Sequence, residues 1–260
     1  MAKKITNAPA SEHIKKFVKL LEKLRLNHNA FTAFSDFCEL AAIAISQAVN
    51  FDDEREENYL RVIHKYTHDE SEIFPEMLAC IVNEMEPAEG KIPRYYDVLG
   101  ELFGELELTD SWKGQFFTPQ VVSDMMGLMT VGECEEAVKE KGYVSVLEPC
   151  IGGGANVIGV VNAMFQKGYN PCKQLLVKGY DLDARCIHMS YIQLSLMGIP
   201  AILQQRNSLT GQTYGDFWVT PMFVFEDWAG YQEVVTIVDK LCGLDDDTPA
   251  PPKLGQLSLF

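Results

Sequence analysis

The chain has 260 residues, of which 47% are apolar, and a formal net charge of −15. That suffices for one large domain, or a medium one with a smaller partner, around a real core, and no apolar run is long enough to cross a bilayer. The acidity excludes a protein that grips DNA through bulk charge, because DNA affinity comes largely from neutralising phosphates. From Ser11 the pattern is helical: Ile14, Phe17, Val18, Leu21 and Leu24 recur at helical spacing, with Ser11 as N-cap. A second helix is expected over roughly 30–49, and a third from the acidic stretch 52–57. A fourth covers about 71–84, ended by Pro87 and Gly90, and a fifth covers 93–108. Residues 1–110 therefore form an N-terminal helical domain. His64 and His68 stand four apart, but Lys-Tyr-Thr between them is not the zinc-protease pattern, so no metal site is expected. Lys15, Lys16, Lys19, Lys23 and Arg25 read as a solvated helix face, with a basic nucleic-acid patch as the alternative.

The strongest signal lies in residues 143–181. A short apolar run from Tyr143 to Leu147 precedes Glu148. Three consecutive glycines, Gly152, Gly153 and Gly154, then lead into an apolar helical pattern from Ala155 to Phe165. A second apolar run, from Leu175 to Tyr180, ends in Asp181. This order of strand, glycine turn, helix, strand and acid is how parallel α/β sheets bind nucleotide-like cofactors. Glycines let the backbone approach a ligand, the helix start offers free N–H groups, and the acid accepts from ribose hydroxyls. Glycines chosen only for a tight turn would look the same. Further along, a helix is expected over 184–197 and strands over 201–203 and 216–219. Residues 234–238 add one more element, and a Gly-, Asp- and Pro-rich tether covers 243–255.

Between the halves lies Gly114-Gln115-Phe116-Phe117-Thr118-Pro119, with Thr118 placed to cap a following helix. Together GQFFTP (114–119), EPCIGGGA (148–155), GYDLD (179–183) and NSL (207–209) resemble the DNA adenine-N6 methyltransferases, most closely the modification subunit of type I restriction systems. The resemblance covers roughly residues 10–225. It implies an α/β fold: a shortened Rossmann-like, S-adenosylmethionine-dependent methyltransferase sheet over 111–242, preceded by the helical domain. It implies S-adenosylmethionine as cofactor. Gln115, Phe116, Phe117, Thr118 and Pro119 would close over its methionine end, and Glu148 and Gly152 to Gly154 would pass beneath it. Asp181 would hold the ribose, and Asn207 would lie near the adenine. The family's catalytic signature, an Asn or Asp followed by two prolines and an aromatic, handles the flipped base. Here the corresponding residues are Thr220-Pro221-Met222-Phe223, leaving Thr220, Pro221 and Phe223 as candidate catalytic residues in a degenerate motif.

The last five residues, Gln256-Leu257-Ser258-Leu259-Phe260, resemble the peptide that docks bacterial replication and repair proteins onto the DNA sliding clamp. Gln256 would anchor by hydrogen bonds and Leu257, Leu259 and Phe260 in an apolar groove, at the end of the flexible segment 243–260. A chain too acidic to hold DNA unaided would thus be delivered to it. Seven scattered cysteines without a C-x-x-C pair, and a start without an apolar signal segment, point to reduced thiols in the cytoplasm. Three functions compete. The first is a clamp-recruited DNA adenine-N6 methyltransferase using S-adenosylmethionine. The second is a methyltransferase-like accessory protein that binds without methylating, in anti-restriction or replication. The third is a nicotinamide-dependent oxidoreductase, which lacks G-x-G-x-x-G spacing and leaves GQFFTP unexplained.

Overall fold

The computed structural model describes residues 11–106, 118–132 and 134–226. Gln115, Phe116, Phe117, residues 234–238 and the peptide at 256–260 lie outside these. Six helices come first: α1 Glu12–Leu24, α2 Ala30–Gln47, α3 Asp53–Ile63, α4 His68–Ser71, α5 Ile73–Met85 and α6 Val98–Glu105. Most start where a short polar side chain can satisfy the free N–H groups of the first turn. Ser11 Oγ accepts from Ile14 N at 3.1 Å, Asn29 Oδ1 from Phe31 N at 2.9 Å and Asp52 Oδ1 from Arg55 N at 2.9 Å. The expected third helix is interrupted after Ile63, so His64 and His68 do not share a helix. Among the described residues no group of three or more potential ligands could hold a metal. The basic face of α1 is largely paired, with Lys15 on Glu12, Lys16 on Glu76 and Arg25 on Glu22.

The expected helix over 93–108 shrinks to α6. Asn162 explains why: its side chain accepts from Tyr95 N and donates to Tyr95 O, both at 2.8 Å. The backbone at Tyr95 is thereby tied to the helix that carries Asn162, and α6 begins only after Asp97, whose Oδ1 accepts from Gly100 N at 2.8 Å.

The second half follows as α7 Gln120–Val131, α8 Cys134–Lys141, β1 Val144–Glu148, α9 Ala155–Gln166, α10 Pro171–Gln174, β2 Leu175–Asp181, α11 Ala184–Leu196, β3 Ala201–Arg206, β4 Thr213–Val219 and α12 Pro221–Phe225. The sheet order is β1-β2-β3-β4. β1, β2 and β3 are parallel, joined through α9 and α11, so the fold is α/β with a short Rossmann-like sheet. β2 runs through the middle and is buried along almost its whole length, as a strand flanked on both sides should be. One apolar cluster extends from Phe17, Phe34 and Phe37 of the helical half to Val177, Tyr191 and Leu203 of the sheet half. The helices therefore pack onto the α/β unit and share its core. Of the cysteines within the described residues, all six are free, and Cys38, Cys80 and Cys186 are buried. No helix among the described residues is long and apolar enough to cross a membrane.

α7 inverts the usual pattern. Its buried positions are Ser123, Gly127 and Val131, whereas Val121 is 78% exposed and Met129 73%. Small residues face α9 because the two backbones nearly touch, and the larger apolar side chains are left outside.

β4 departs most from expectation. It pairs with β3 antiparallel, Ile202 opposite Val219 and Arg206 opposite Thr213. The link between them is a tight loop in which Asn207 N–H donates to Gln212 O and Gly211 N–H to Asn207 O, both at 2.8 Å. Gly211 takes φ +78°. A hairpin reverses the chain, so whatever follows β4 lies at the start of β3.

Candidate active-site crevice

At the carboxyl ends of β1 and β2 the chain makes two turns that face each other. After Glu148 the backbone passes through Pro149, Cys150 and Ile151 into the three glycines. Gly152 adopts φ +56° and Gly154 φ +106°, conformations that a side chain would strain. Gly153 is glycine for another reason. A Cβ there would lie 2.4 Å from both carboxylate oxygens of Asp97. The turn is tied down on all sides. Ile151 N–H donates to Tyr180 O at 2.8 Å. Glu148 folds over it, accepting from Cys150 N and Asn156 Nδ2, both at 3.1 Å. Gln193 donates from Nε2 to Gly153 O at 2.6 Å and to Asp97 Oδ1 at 2.8 Å.

Asp181 ends β2 and points at the glycine turn. Its Oδ2 accepts from Gly152 N and its Oδ1 from Asp183 N, both at 2.9 Å. Burial pushes its carboxyl above the usual range, against the pull of those N–H groups. A carboxylate has about four lone-pair sites, so two bonds leave it able to accept from a pair of neighbouring hydroxyls. The structure thus brings Glu148, Gly152, Gly153, Gly154 and Asp181 together in one crevice at the carboxyl ends of parallel strands, the usual place for ligands in such sheets.

Asn207 follows β3 on the same rim. Ser208 Oγ donates to Pro149 O, so its loop touches the glycine turn. Asn207 Oδ1, however, accepts from Leu209 N at 3.0 Å and Thr210 N at 3.1 Å. Its oxygen is spent on its own turn, and only its amide nitrogen could serve a ligand. Thr118 does not cap α7. The helix begins at Gln120, just after Pro119, with Pro119 at the cap position and no side-chain acceptor there. Gln120 takes over the linking role: its Oε1 accepts from Asp97 N at 3.1 Å and its Nε2 donates to Asp124 Oδ1 at 2.8 Å.

Thr220, Pro221 and Phe223 are not in this crevice. Because β4 is antiparallel, they follow its end beside Ala201, the first residue of β3. β3 is six residues long, so at roughly 3.3 Å per step they sit about 17 Å along the sheet from its ligand end. Thr220 is fully buried; its hydroxyl donates to Ile199 O at 2.8 Å and accepts from Ala201 N at 2.8 Å. Phe223 packs against Tyr143, Leu176, Ile202 and Phe217 and offers no free face for stacking. These are structural roles. Thr220→Val is expected to lower stability by about 1–3 kcal/mol, the usual cost of a buried N–H left unpaired. Thermal unfolding measures that loss, and ligand binding at the crevice should stay within twofold of the parent.

Asp97 and Gln193 escape the sequence reading, since an Asp before an apolar stretch and a Gln inside an amphipathic helix look ordinary. Only contact with Gly153 gives them meaning.

No protein-family model matches the chain, and no curated protein does. Two crystal structures are similar in the course of their chains. One is assigned as a class I S-adenosylmethionine-dependent methyltransferase from Listeria monocytogenes, with 15% identity and a TM-score of 0.41 over 80% of this chain. The other is a type I restriction-modification system methyltransferase subunit from Streptococcus thermophilus, with 14% identity and a TM-score of 0.36 over 76% of this chain. The chain spans 57% and 58% of their respective lengths.

Proposed function

We propose that this chain is a methyltransferase-like protein that holds S-adenosylmethionine at the glycine turn and works beside DNA as an accessory protein, without itself passing the methyl group to a base. The observation that carries the ligand reading is the Asp181 carboxylate, fixed by Gly152 N at 2.9 Å and Asp183 N at 2.9 Å with acceptor capacity to spare. The donor set fits the cofactor: a carboxylate with spare acceptor sites for the ribose diol, beside a glycine turn in backbone conformations that side chains would strain. The bound cofactor would supply an electrophilic methyl group on a sulfonium. The observation that favours an accessory role is the placement of Thr220 and Phe223 at the far end of the sheet. Titration calorimetry should show S-adenosylmethionine binding to the whole chain. Asp181→Asn should weaken it about 30-fold, the loss expected when charged hydrogen bonds worth about 2 kcal/mol are removed. Absence of binding by the parent chain would end this reading.

DNA is the proposed setting because of the clamp-like peptide Gln256, Leu257, Leu259 and Phe260. With a net charge of −15, the chain should reach DNA through the clamp better than by direct contact. Deleting 256–260 should abolish co-elution with a bacterial sliding clamp; unchanged co-elution removes the recruitment step. Tritiated methyl transfer to mixed DNA, with and without clamp, should stay at background. Transfer to adenine-N6 by the chain alone would instead establish it as the enzyme and make the crevice catalytic through other residues.

A further inference from the structure

We infer that Asp97, carried by the helical half of the molecule, is the anionic partner for the ammonium group at the amino-acid end of the ligand bound over the glycine turn. This rests on the S-adenosylmethionine reading above and adds to it the residue that distinguishes the amino-acid end of the ligand from its nucleoside end.

Asp97 is 3% exposed, and its two oxygens have unequal lives. Oδ1 accepts from Gly100 N at 2.8 Å and from Gln193 Nε2 at 2.8 Å. Oδ2 is buried without a hydrogen-bond partner among the described residues. An unpaired oxygen on a buried carboxyl is costly, and each such group in a native protein calls for a physical explanation. Burial accordingly pushes this carboxyl above its ordinary range, against the pull of Gln193 and Gly100 N. The carboxyl lies against Gly153, close enough that any side chain at 153 would collide with both its oxygens. The turn has therefore been kept bare at the position nearest this acid. Gln193 further locks the two together by donating to both Gly153 O and Asp97.

The chemistry selects a cation. Among the described residues no Lys or Arg pairs with Asp97, and the turn itself offers only amides. Gln120, the residue directly after the 114–119 motif, accepts from Asp97 N at 3.1 Å. The acid thus sits where the glycine turn, the helical half and the start of α7 meet. An amino-acid end would bring its ammonium to Asp97, and the nucleoside end would remain with Asp181.

The test compares ligands that differ only at that end. On the parent protein, calorimetry should find S-adenosylhomocysteine bound at least tenfold more tightly than its analogue lacking the amino group. This comparison needs no variant and so no assumption about folding. In Asp97→Asn, which keeps a side chain able to cap α6, S-adenosylmethionine should bind 10- to 30-fold more weakly. Methylthioadenosine, which has no amino-acid end, should change by less than twofold. Circular dichroism checks that the variant is folded. Equal loss for both ligands, or no loss for either, would overturn the role given to Asp97. Parent protein that binds methylthioadenosine but shows no preference for the amino group would also overturn it while leaving the crevice reading intact. Parent protein that binds none of these compounds would overturn both.

Discussion

Gly153→Ala is expected to destabilise the protein by about 3 kcal/mol, the upper part of the range for forcing an extra methyl group into a filled site, and to abolish measurable ligand binding. The added Cβ would sit 2.4 Å from both oxygens of Asp97, where real contacts never lie. Asp97 cannot swing aside, because Oδ1 caps α6 through Gly100 N and holds Gln193. Moving it would leave Gly100 N–H unpaired and break the bridge to Gly153 O. The turn cannot retreat either, since Gly152 N–H is bound to Asp181 and Ile151 N–H to Tyr180 O. Because both partners are fixed, the effect should be coupled. Shortening the acid as well, in Gly153→Ala with Asp97→Ser, removes the collision and keeps a capping hydroxyl. The double variant should recover about 1–2 kcal/mol relative to the sum of the single changes, a coupling typical of residues in contact. Denaturant unfolding of the four proteins measures this. Simple additivity would show that Gly153 is glycine for backbone freedom and not for Asp97.

The β1–α9–β2 unit could be read from the chain. Tyr143 to Asp181 carries its message in local patterns: two apolar runs of strand length, a glycine turn between them and an acid at the end. Parallel βαβ units leave little freedom in how such a pattern folds. The helices α1, α2 and α11 were equally legible, since each joins an apolar stripe to a capping residue: Ser11, Asn29 and Asp183. What the pattern could not convey was direction and distance. The run at 216–219 reads as a strand whichever way it points. Its antiparallel course is set by the loop at 207–212, where Asn207 bonds to its own turn and Gly211 reverses the chain. Asp97 carries no local sign of its purpose, because its neighbours Gly153 and Gln193 lie far along the chain. α7 runs against the usual rule that large apolar side chains face inward: Val121, Met125 and Met129 are exposed, and contact is made through Ser123 and Gly127.

That last mismatch gives the second large effect, Gly159→Ala on α9. The ideal Cβ at 159 falls 2.1 Å from the backbone oxygen of Ser123, and one at Gly127 falls 2.2 Å from the backbone oxygen of Gly159. Here the obstacle is main chain on both sides, with no rotamer to absorb the strain, so the helices must part. Parting them strains the two polar contacts that cross between them. Ser123 Oγ donates to Asn156 Oδ1 at 3.2 Å and Asn162 Nδ2 to Asp124 Oδ1 at 3.0 Å. Gln120 links Asp97 N to Asp124. A loss of about 3–4 kcal/mol follows from overpacking plus buried polar groups pulled off their partners. Since α7 directly follows the 114–119 motif, its displacement should also weaken S-adenosylmethionine binding, although Gly159 belongs to no part of the crevice. Substitution on the outward face separates the two causes. Met129→Gln, at a side chain 73% exposed, should leave thermal stability within about 0.5 kcal/mol, as surface changes away from special features usually do. Were Met129→Gln to cost as much as Gly159→Ala, α7 would be held by its large side chains and not by the bare contact of two backbones.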